Sequence, residues 1–285
     1  MALLTVLCLC WGLQQVAIKL AVPGISPAMQ GGIRSVGSLI LLWAWSAYQG
    51  VRLFDRDGTL WVGLLAGALF ALEFLFIYVG LTFTTASRGV IFLYTSPFVV
   101  ALGAHLFVPG ERMRVIQVAG LAFAFCGVAA AFADGLRLPS QRELIGDALL
   151  LCAAVVWGAT TVVIKASRLA SISANKVLFY QLAVSAAALP LISVLLGESG
   201  VTDLTPVVLG SLAYQIVIVA FASYLAWFWL IAHYPAGRLA AFSFLTPLFG
   251  VLAGGVLLGE RISGAMVLSM ALVCFGIYLV NRRPS

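Results

Sequence analysis

The chain has 285 residues, of which 63% are hydrophobic and only 9% are charged, and its mean hydropathy is +1.11. A soluble domain usually has about a quarter of its residues charged, so this composition excludes a soluble globular protein and makes the lipid bilayer the solvent. The net charge of +6 would suit nucleic acid or an acidic partner, but the distribution of the charges, described below, argues against both.

The apolar runs between clusters of charged and turn-forming residues are the predicted elements. A hydrocarbon core about 30 Å thick requires roughly 20 apolar residues per helix. The first run is expected to be a retained helix and not a signal peptide, because it lacks a basic start and contains Gln14 and Gln15. The sequence predicts ten transmembrane helices, near residues 2–21, 27–48, 60–81, 88–107, 112–132, 144–166, 174–196, 206–231, 238–258 and 263–280.

A repeated phrase divides the chain into two halves. The sequence WGLQQVAIK at residues 11–19 returns as WGATTVVIK at residues 157–165. This predicts two copies of a five-helix unit, residues 1–135 and residues 144–285. Other landmarks recur in the same order, at offsets of 149 or 150 against 146 for the phrase: Gly110-Glu111-Arg112 with Gly259-Glu260-Arg261, Pro97 with Pro247, Arg88 with Arg238, and Gly127 with Gly276.

The odd number of helices per copy determines the predicted architecture. After five crossings the second copy enters from the opposite face of the membrane, so its helices run inverted. Inverted repeats are typical of transporters, with the substrate site near the midplane between the halves. The predicted fold class is an all-α polytopic membrane protein with ten transmembrane helices arranged as two inverted five-helix repeats.

The basic residues predict the orientation of the chain. If the N-terminus is cytoplasmic, the loops on that side hold twice as many basic residues as the opposite loops, which is the positive-inside signal. Both termini are therefore predicted to be cytoplasmic, and nucleic acid is not an expected partner. The cytoplasmic set is Arg52, Arg56, Arg112, Arg114, Lys165, Arg168, Lys176, Arg238, Arg282 and Arg283, and the opposite set is Lys19, Arg88, Arg137, Arg142 and Arg261.

These features carry a resemblance to a known family. The ten spans, the paired Trp-Gly openings, the two Gly-Glu-Arg corners and the stretch IYVGLTFTTASRGVIFLYTSPF at residues 77–98 resemble the EamA family of the drug/metabolite transporter superfamily. The segment from Glu73 to Arg112 is particularly similar to bacterial exporters of aromatic amino acids. The resemblance implies a ten-helix basket-like fold in the bacterial inner membrane and export of amino acids and related metabolites.

Trp11 and Trp157 are substrate-binding candidates because they lie near the middle of their predicted helices, whereas membrane tryptophans usually collect at the headgroup level. Two polar residues follow each of them by one turn, at residues 14–15 and 160–161. Residues at i, i+3 and i+4 share a helix face. Each indole with its polar neighbours, including Gln15, either lines a cavity that stacks on a substrate or mediates helix packing.

Glu73 is the single acidic residue predicted at mid-span. A charge there costs roughly 2.5–3.5 kcal/mol, so Glu73 is predicted to couple protons or to contact a substrate ammonium, with a structural hydrogen bond as the alternative. Arg34 could hold a substrate carboxylate or extend to the outer headgroups, and extension is the preferred interpretation. Gln30, one turn before Arg34, and its repeat counterpart Gln181 are further candidates.

Aromatic residues and two prolines complete the predicted site. Pro97 and Pro247 lie mid-span at equivalent positions, and such paired interruptions predict hinges for gating. The aromatic residues suit a large apolar pocket for an aromatic amino acid, although each one alone could equally serve packing: Tyr78, Tyr94, Tyr214, Tyr224, Trp227 and Phe228.

The predicted function is export of amino acids, with aromatic and other hydrophobic ones favoured, by alternating access between the two halves. An exporter of lipophilic cations with the same fold is the alternative. An intramembrane enzyme is disfavoured because the sequence lacks His-Glu-x-x-His and Gly-x-Ser-x-Gly motifs. No cofactor and no metal site are predicted. The expected partners are a small-molecule substrate and the lipid bilayer, and a monomer is expected, with a dimer left open.

Overall fold

A computed structural model describes residues 2–84, 92–131, 140–249 and 264–281. These residues are helical or in short connections, and among them the single β-type contact is one bridge between Ile25 and Val201. The all-α prediction is therefore confirmed for the described residues. The helices are α1 (Ala2–Ala21), α2 (Pro27–Tyr48), α3 (Leu60–Phe83), α4 (Ser96–Phe107), α5 (Val115–Ala131), α6 (Gln141–Ala166), α7 (Ala174–Leu195), α8 (Pro206–Tyr214), α9 (Tyr224–His233), α10 (Ala236–Phe242) and α11 (Gly264–Asn281).

Four helical stretches of the described residues are long and apolar enough to cross a membrane. They are α3, α6, α7 and the continuous stretch Pro206–His233, in which the π-helical segment Gln215–Ser223 joins α8 to α9. Shorter apolar helices lie in α1, α4, α5, Ala236–Phe249 and α11. The multi-helix membrane class follows from these stretches, whereas the total of ten spans and the inversion of the halves stay predictions.

Both prolines predicted as hinges lie beside breaks in the helical path. Pro97 is the second residue of α4, directly after a turn at Tyr94–Thr95, and Pro247 follows a turn at Ser243–Phe244. Pro97 thus occupies a helix start, where a missing N–H costs nothing, and not a helix interior.

The two breaks have the same hydrogen bonds. Thr95 donates both its N–H (3.1 Å) and its hydroxyl (2.7 Å) to the carbonyl oxygen of Phe92. Ser243 donates its N–H (3.1 Å) and its hydroxyl (2.6 Å) to the carbonyl oxygen of Ala240 in the same way. A hydroxyl that bonds a carbonyl three residues earlier competes with the regular helix ladder, which explains why the helical path stops at these residues.

The chain forms two compact units. The first unit contains Met1–Leu13, Gly80–Val162 and Tyr234–Ser285, and the second contains Gln14–Val79 and Val163–His233. Each unit takes segments from both predicted sequence repeats, so the compact units and the repeats are different divisions of the chain.

In the first unit, α5 and α11 pack with their backbones in close contact. Gly120 and Gly276 lie opposite each other, and a Cβ added to Gly276 would overlap the carbonyl oxygen of Gly120. Phe123 and Phe275 meet edge to face beside them, with ring centroids 5.4 Å apart. Small residues at such a crossing allow the close backbone approach that stabilises helix pairs in membranes.

In the second unit, α2 and α7 pack antiparallel. Gly32 of α2 lies against Pro190 of α7, too close for a Cβ. Toward the other end of the pair, the Asn175 amide donates to the Ser46 hydroxyl oxygen and to the side-chain oxygen of Gln49, both at 3.0 Å. This antiparallel pair holds the buried face of α2, described below, inside the second unit.

Polar contacts, called polar locks below, hold each end of this helix pair: hydrogen bonds to Glu198 at one end and an ion pair of Lys176 with Asp57 at the other. At the start of α2, the Glu198 carboxylate accepts hydrogen bonds from the Ala28 N–H (3.1 Å) and from the hydroxyls of Ser26 (2.9 Å) and Ser193 (2.7 Å). A carboxylate at a helix N-terminus satisfies donors that have no partner within the helix.

The opposite lock joins the α2–α3 connection to the start of α7. The buried Lys176 ammonium donates to the Asp57 carboxylate (2.7 Å) and to the Asp55 carbonyl oxygen (2.6 Å). The hydrogen bond from Lys176, supported by one from Thr59, holds the pKa of Asp57 at about 2, below its ordinary 3.8. The Asp57 carboxylate is therefore ionised in the folded protein at neutral pH.

Candidate functional site

The buried stripe of α2 is polar, which is the reverse of an ordinary amphipathic helix. Gln30, Arg34 and Ser38 follow one another at intervals of four residues, so they share one face, and all three are fully buried. Pro27 starts the helix after Ser26, which has an extended backbone. The apolar residues Val36, Ile40 and Trp43 of the same helix are exposed. α2 therefore turns its polar face inward and its apolar face outward, as a lipid-facing helix around a polar interior does.

Arg34 is the most unusual residue of this face. Its guanidinium carbon lies 3.8 Å from the centre of the Phe74 ring and 5.9 Å from the centre of the Tyr78 ring. All three guanidinium nitrogens are buried and have no hydrogen-bond partner among the described residues. Extension of Arg34 to the headgroups, the interpretation that the sequence favoured, is wrong, because the side chain is 0% exposed.

Glu73 and two tyrosines surround this guanidinium. The Glu73 carboxylate and the tyrosines Tyr78 and Tyr224 are close enough to interact with the charge of Arg34. Glu73 is itself buried, with 6% of its surface exposed. Opposite charges interact strongly in an interior that excludes water, so the charge state of Glu73 and the field around Arg34 depend on each other.

The tyrosine hydroxyls are fixed by two glutamines. The Tyr78 hydroxyl donates to the side-chain oxygen of Gln215 at 3.0 Å, and Tyr224 shares a side-chain hydrogen bond with Gln14. The Gln215 Nε2 has no partner among the described residues. Gln215 begins the π-helical segment, and single π-helical turns are frequent at functional sites because they reorient side chains.

Aromatic rings form the wall of the site. Phe70, Phe74 and Tyr78 share a face of α3, since they are four residues apart. Phe70 and Phe74 meet edge to face with ring centroids 4.9 Å apart. The ring centroid of Tyr224 lies 5.7 Å from that of Phe70 and 6.2 Å from that of Phe74. The arrangement combines an apolar wall, an unpaired cation and a carboxylate, which together match a zwitterion with an apolar side chain.

The remaining polar candidates of the second unit are buried beside the backbone. The Gln30 amide donates to the Ile18 carbonyl oxygen (3.3 Å) and the Gln181 amide to the Val177 carbonyl oxygen (3.4 Å). The side-chain oxygen of each has no partner among the described residues. Trp227 is also buried, and it shares a face of α9 with Tyr224, which lies three residues earlier.

Three candidates lie in the first unit. Tyr94 and Trp157 meet edge to face, with ring centroids 6.1 Å apart, and Trp11 is buried. The hydroxyls of Thr160 and Thr161 bond carbonyl oxygens of their own helix, at 2.8 and 3.2 Å. The side chain of Gln15 lies outside the described residues. The structure thus joins Tyr94 to Trp157, and joins Arg34 to the α3 and α9 residues in the other unit.

Sequence reasoning missed Phe74, Phe70 and Gln215 as parts of the site. Phe70 and Phe74 precede Tyr78 at four-residue spacing, which is a signal that the sequence contained. Gln215 is a polar residue inside an apolar run, as the already predicted Gln14 is, and a search for polar residues at mid-span would have found it.

Apolar helices of membrane length, together with a buried charged and aromatic cluster within the second unit, define a polytopic membrane protein. Residues 1–133 and 144–282 both match the EamA-like transporter family, and the chain belongs to this family. It is therefore a membrane transporter, and its substrate is a small molecule.

Relatives in several organisms are similar along most of their length. A probable amino-acid metabolite efflux pump of Escherichia coli strain K12 is 28% identical over 283 residues, covering 94% of this chain and 90% of the relative. The pump of the same description in Salmonella typhimurium strain LT2 is 29% identical with the same coverage. The uncharacterized transporter YoaV of Bacillus subtilis strain 168 is 24% identical, covering 95% and 92%.

A solved crystal structure has the same fold. It superposes with a TM-score of 0.83 at 20% sequence identity, and the match covers 98% of this chain and 96% of the other.

Proposed function

We propose that this protein exports amino acids, with aromatic and other hydrophobic ones favoured, and related metabolites across the bacterial inner membrane. The amino-acid metabolite efflux pumps of Escherichia coli and Salmonella typhimurium support export of this substrate class. The protein acts as a transporter and not as an enzyme.

The observation that carries the proposal is the unpaired guanidinium of Arg34. A buried cation without a partner costs several kcal/mol, and an anion of matching shape offsets that cost. A carboxylate matches the planar fork of a guanidinium with two parallel hydrogen bonds. The α-carboxylate of an amino acid is therefore the group that Arg34 selects.

The neighbours of Arg34 suit the rest of an amino acid. Glu73 supplies a carboxylate for the α-ammonium group, and the rings of Phe70, Phe74 and Tyr224 supply an apolar surface for the side chain. Aromatic side chains gain the most from such a wall, because ring–ring contacts add about 0.5–1.5 kcal/mol to area burial. This is the basis of the aromatic preference.

Transport proceeds by alternating access between the inverted halves, residues 1–135 and 144–285. Two separate matches to one family profile support two homologous halves. The matching breaks at Thr95 and Ser243 support hinges at Pro97 and Pro247. The excess of basic residues in the predicted loops on one side of the membrane supports cytoplasmic termini. The proposed transporter works as a monomer.

Export of lipophilic cations is the second candidate. Glu73 is a buried carboxylate next to aromatic rings, and this combination also suits a ligand cation. The two functions differ in their use of Arg34, because a cation gains nothing from a neighbouring guanidinium.

The purified chain in liposomes tests the proposal. Radiolabelled phenylalanine is preloaded, and its exit is measured in the presence of unlabelled phenylalanine, leucine, phosphoenolpyruvate or tetraphenylphosphonium. Inhibition by the two amino acids alone supports amino-acid export. If no phenylalanine leaves the liposomes, whereas preloaded radiolabelled tetraphenylphosphonium leaves them faster than it leaves protein-free liposomes, the proposal is contradicted and the cation exporter is favoured.

A further inference from the structure

A surface cavity lies in the first unit. It has a volume of about 200 Å³ and is formed by the end of α4, the start of α5, the start of α10 and the end of α11. The loop between α4 and α5 supplies Arg112 and Arg114, the start of α10 supplies Arg238, and Val280 of α11 closes the wall.

The cavity has an excess of positive charge. Among the described residues that line it, three are arginines and one is acidic, namely Glu111, whose carboxylate accepts a hydrogen bond from the Ala236 N–H at 2.8 Å. In the sequence, two more arginines come directly after Asn281, the last residue of α11. Arginine is the residue best suited to phosphate oxygens, because its planar fork forms two hydrogen bonds at once.

Apolar side chains beside the arginines mark the level of the membrane surface. Phe107, at the end of α4, is 66% exposed, and Val115, at the start of α5, is 86% exposed. Between them lie the arginines of the α4–α5 loop. Exposed apolar residues on each side of a basic loop are expected where the acyl chains of a lipid meet its headgroup.

We infer that this cavity binds the phosphate headgroup of an anionic phospholipid, and that Arg112 and Arg238 donate hydrogen bonds to the phosphate oxygens. The acyl chains lie along Phe107 and Val115. Anionic lipids favour basic pockets at helix ends on the cytoplasmic side, and the basic residues of this loop belong to the predicted cytoplasmic set. The inference is independent of the transported substrate.

Native mass spectrometry of the detergent-purified full chain tests the inference. The probes are phosphatidylglycerol, phosphatidylcholine and inorganic phosphate. We expect retained phosphatidylglycerol in the wild type and at least about a hundredfold weaker retention in the double variant Arg112→Gln/Arg238→Gln, because two charge-assisted hydrogen bonds are lost.

Two further variants separate lipid binding from other effects. Arg56→Gln removes the same charge from an exposed position of the α2–α3 connection outside the cavity, and we expect it to bind as the wild type does. Arg112→Lys/Arg238→Lys keeps the charge and should restore at least part of the retention. Equal retention of phosphatidylcholine, equal loss in Arg56→Gln, or displacement of the lipid by millimolar phosphate would each overturn the assignment.

Discussion

Arg34 combines full burial with three nitrogens that have no partner among the described residues. Buried polar groups nearly always have a partner, so an exception calls for an explanation. Its position over the Phe74 ring recovers part of the lost hydration through a cation–π contact, but a ring offers no hydrogen-bond acceptors in the plane of the guanidinium. A bound carboxylate supplies them.

Glu73 is the residue that we expect to couple transport to protons. A buried carboxylate that interacts with Arg34 can exchange its proton when substrate enters or leaves the site. Glu73→Gln should abolish phenylalanine accumulation driven by a pH gradient. Exchange of labelled for unlabelled phenylalanine should persist with a KM about tenfold higher, because one charge-assisted hydrogen bond to the ammonium group is lost. Flux in proteoliposomes at two lumenal pH values measures both.

The control for this prediction is Asp203→Asn, which removes a carboxylate from an exposed position and should keep the pH dependence. An unchanged pH dependence in Glu73→Gln would exclude proton coupling through this residue.

The Asp57–Lys176 lock predicts an acid-dependent loss of stability. Since the folded pKa of Asp57 is about 2 and its ordinary value is 3.8, the stabilisation is complete above about pH 4 and is lost as the pH falls toward 2. At pH 7, Asp57→Asn should lower the melting temperature by about 2–4 °C. Between pH 7 and pH 2.5 the difference in melting temperature should shrink to about a third of its neutral value, because pH 2.5 is still above the folded pKa. A constant difference would contradict the pKa argument.

At the scale of the elements, glycine contacts determine how closely helices approach. Gly276→Ala should destabilise the chain by about 1–3 kcal/mol, because the new Cβ meets the backbone of Gly120, which cannot move aside. The matched control is Gly210→Ala in α8, where a Cβ meets nothing within 4 Å, so the better helix propensity of alanine should stabilise the chain slightly. Thermal melting in detergent compares the two, and equal effects would contradict the packing account.

The paired breaks at Thr95 and Ser243 predict a kinetic defect. Pro97→Ala and Pro247→Ala remove a residue that prevents the helical path from becoming continuous, and a stiffer path slows the change between access states. We expect kcat for phenylalanine exit to fall about tenfold in either variant with KM within about twofold.

Pro206→Ala provides the comparison for the hinge variants, because Pro206 lies at the exposed start of α8. Its kcat should match that of the wild type. A fall in kcat of the same size in all three variants would show that proline loss acts on stability and not on a hinge.

At the scale of the whole molecule, much of the helix layout could be predicted from the sequence. The predicted spans 27–48 and 174–196 nearly coincide with α2 and α7, because apolar runs bounded by Pro, Ser and Asn define helix ends. The π-helical segment Gln215–Ser223 could not be predicted, since its residues also suit an α-helix. The predicted spans 88–107 and 238–258 lie partly outside the described residues.

The site was only partly predictable for a physical reason. Composition and spacing marked Arg34, Glu73 and Tyr224 as unusual, but the direction in which Arg34 points depends on tertiary contacts. Its position over Phe74 follows from the packing of α2 and α3 within the second unit. A single sequence cannot separate a buried arginine from one that reaches the headgroups, because both sit seven residues into an apolar helix.

The central claim, that Arg34 holds the carboxylate of the substrate, is tested most directly by pairing a substrate change with a side-chain change. The measurement is competition of phenylalanine and of phenylalanine amide, which lacks the carboxylate charge, against radiolabelled phenylalanine in proteoliposomes. The proteins are wild type, Arg34→Lys and Arg34→Gln, with melting curves as the control for folding.

We predict that the wild type prefers phenylalanine over its amide by at least about tenfold, the value of one charge-assisted hydrogen bond. Arg34→Lys should keep part of this preference, and Arg34→Gln should lose it, with the amide binding no more weakly than before. If Arg34→Gln transports phenylalanine and retains the wild-type preference for the carboxylate, Arg34 does not hold that group and the proposed site is wrong.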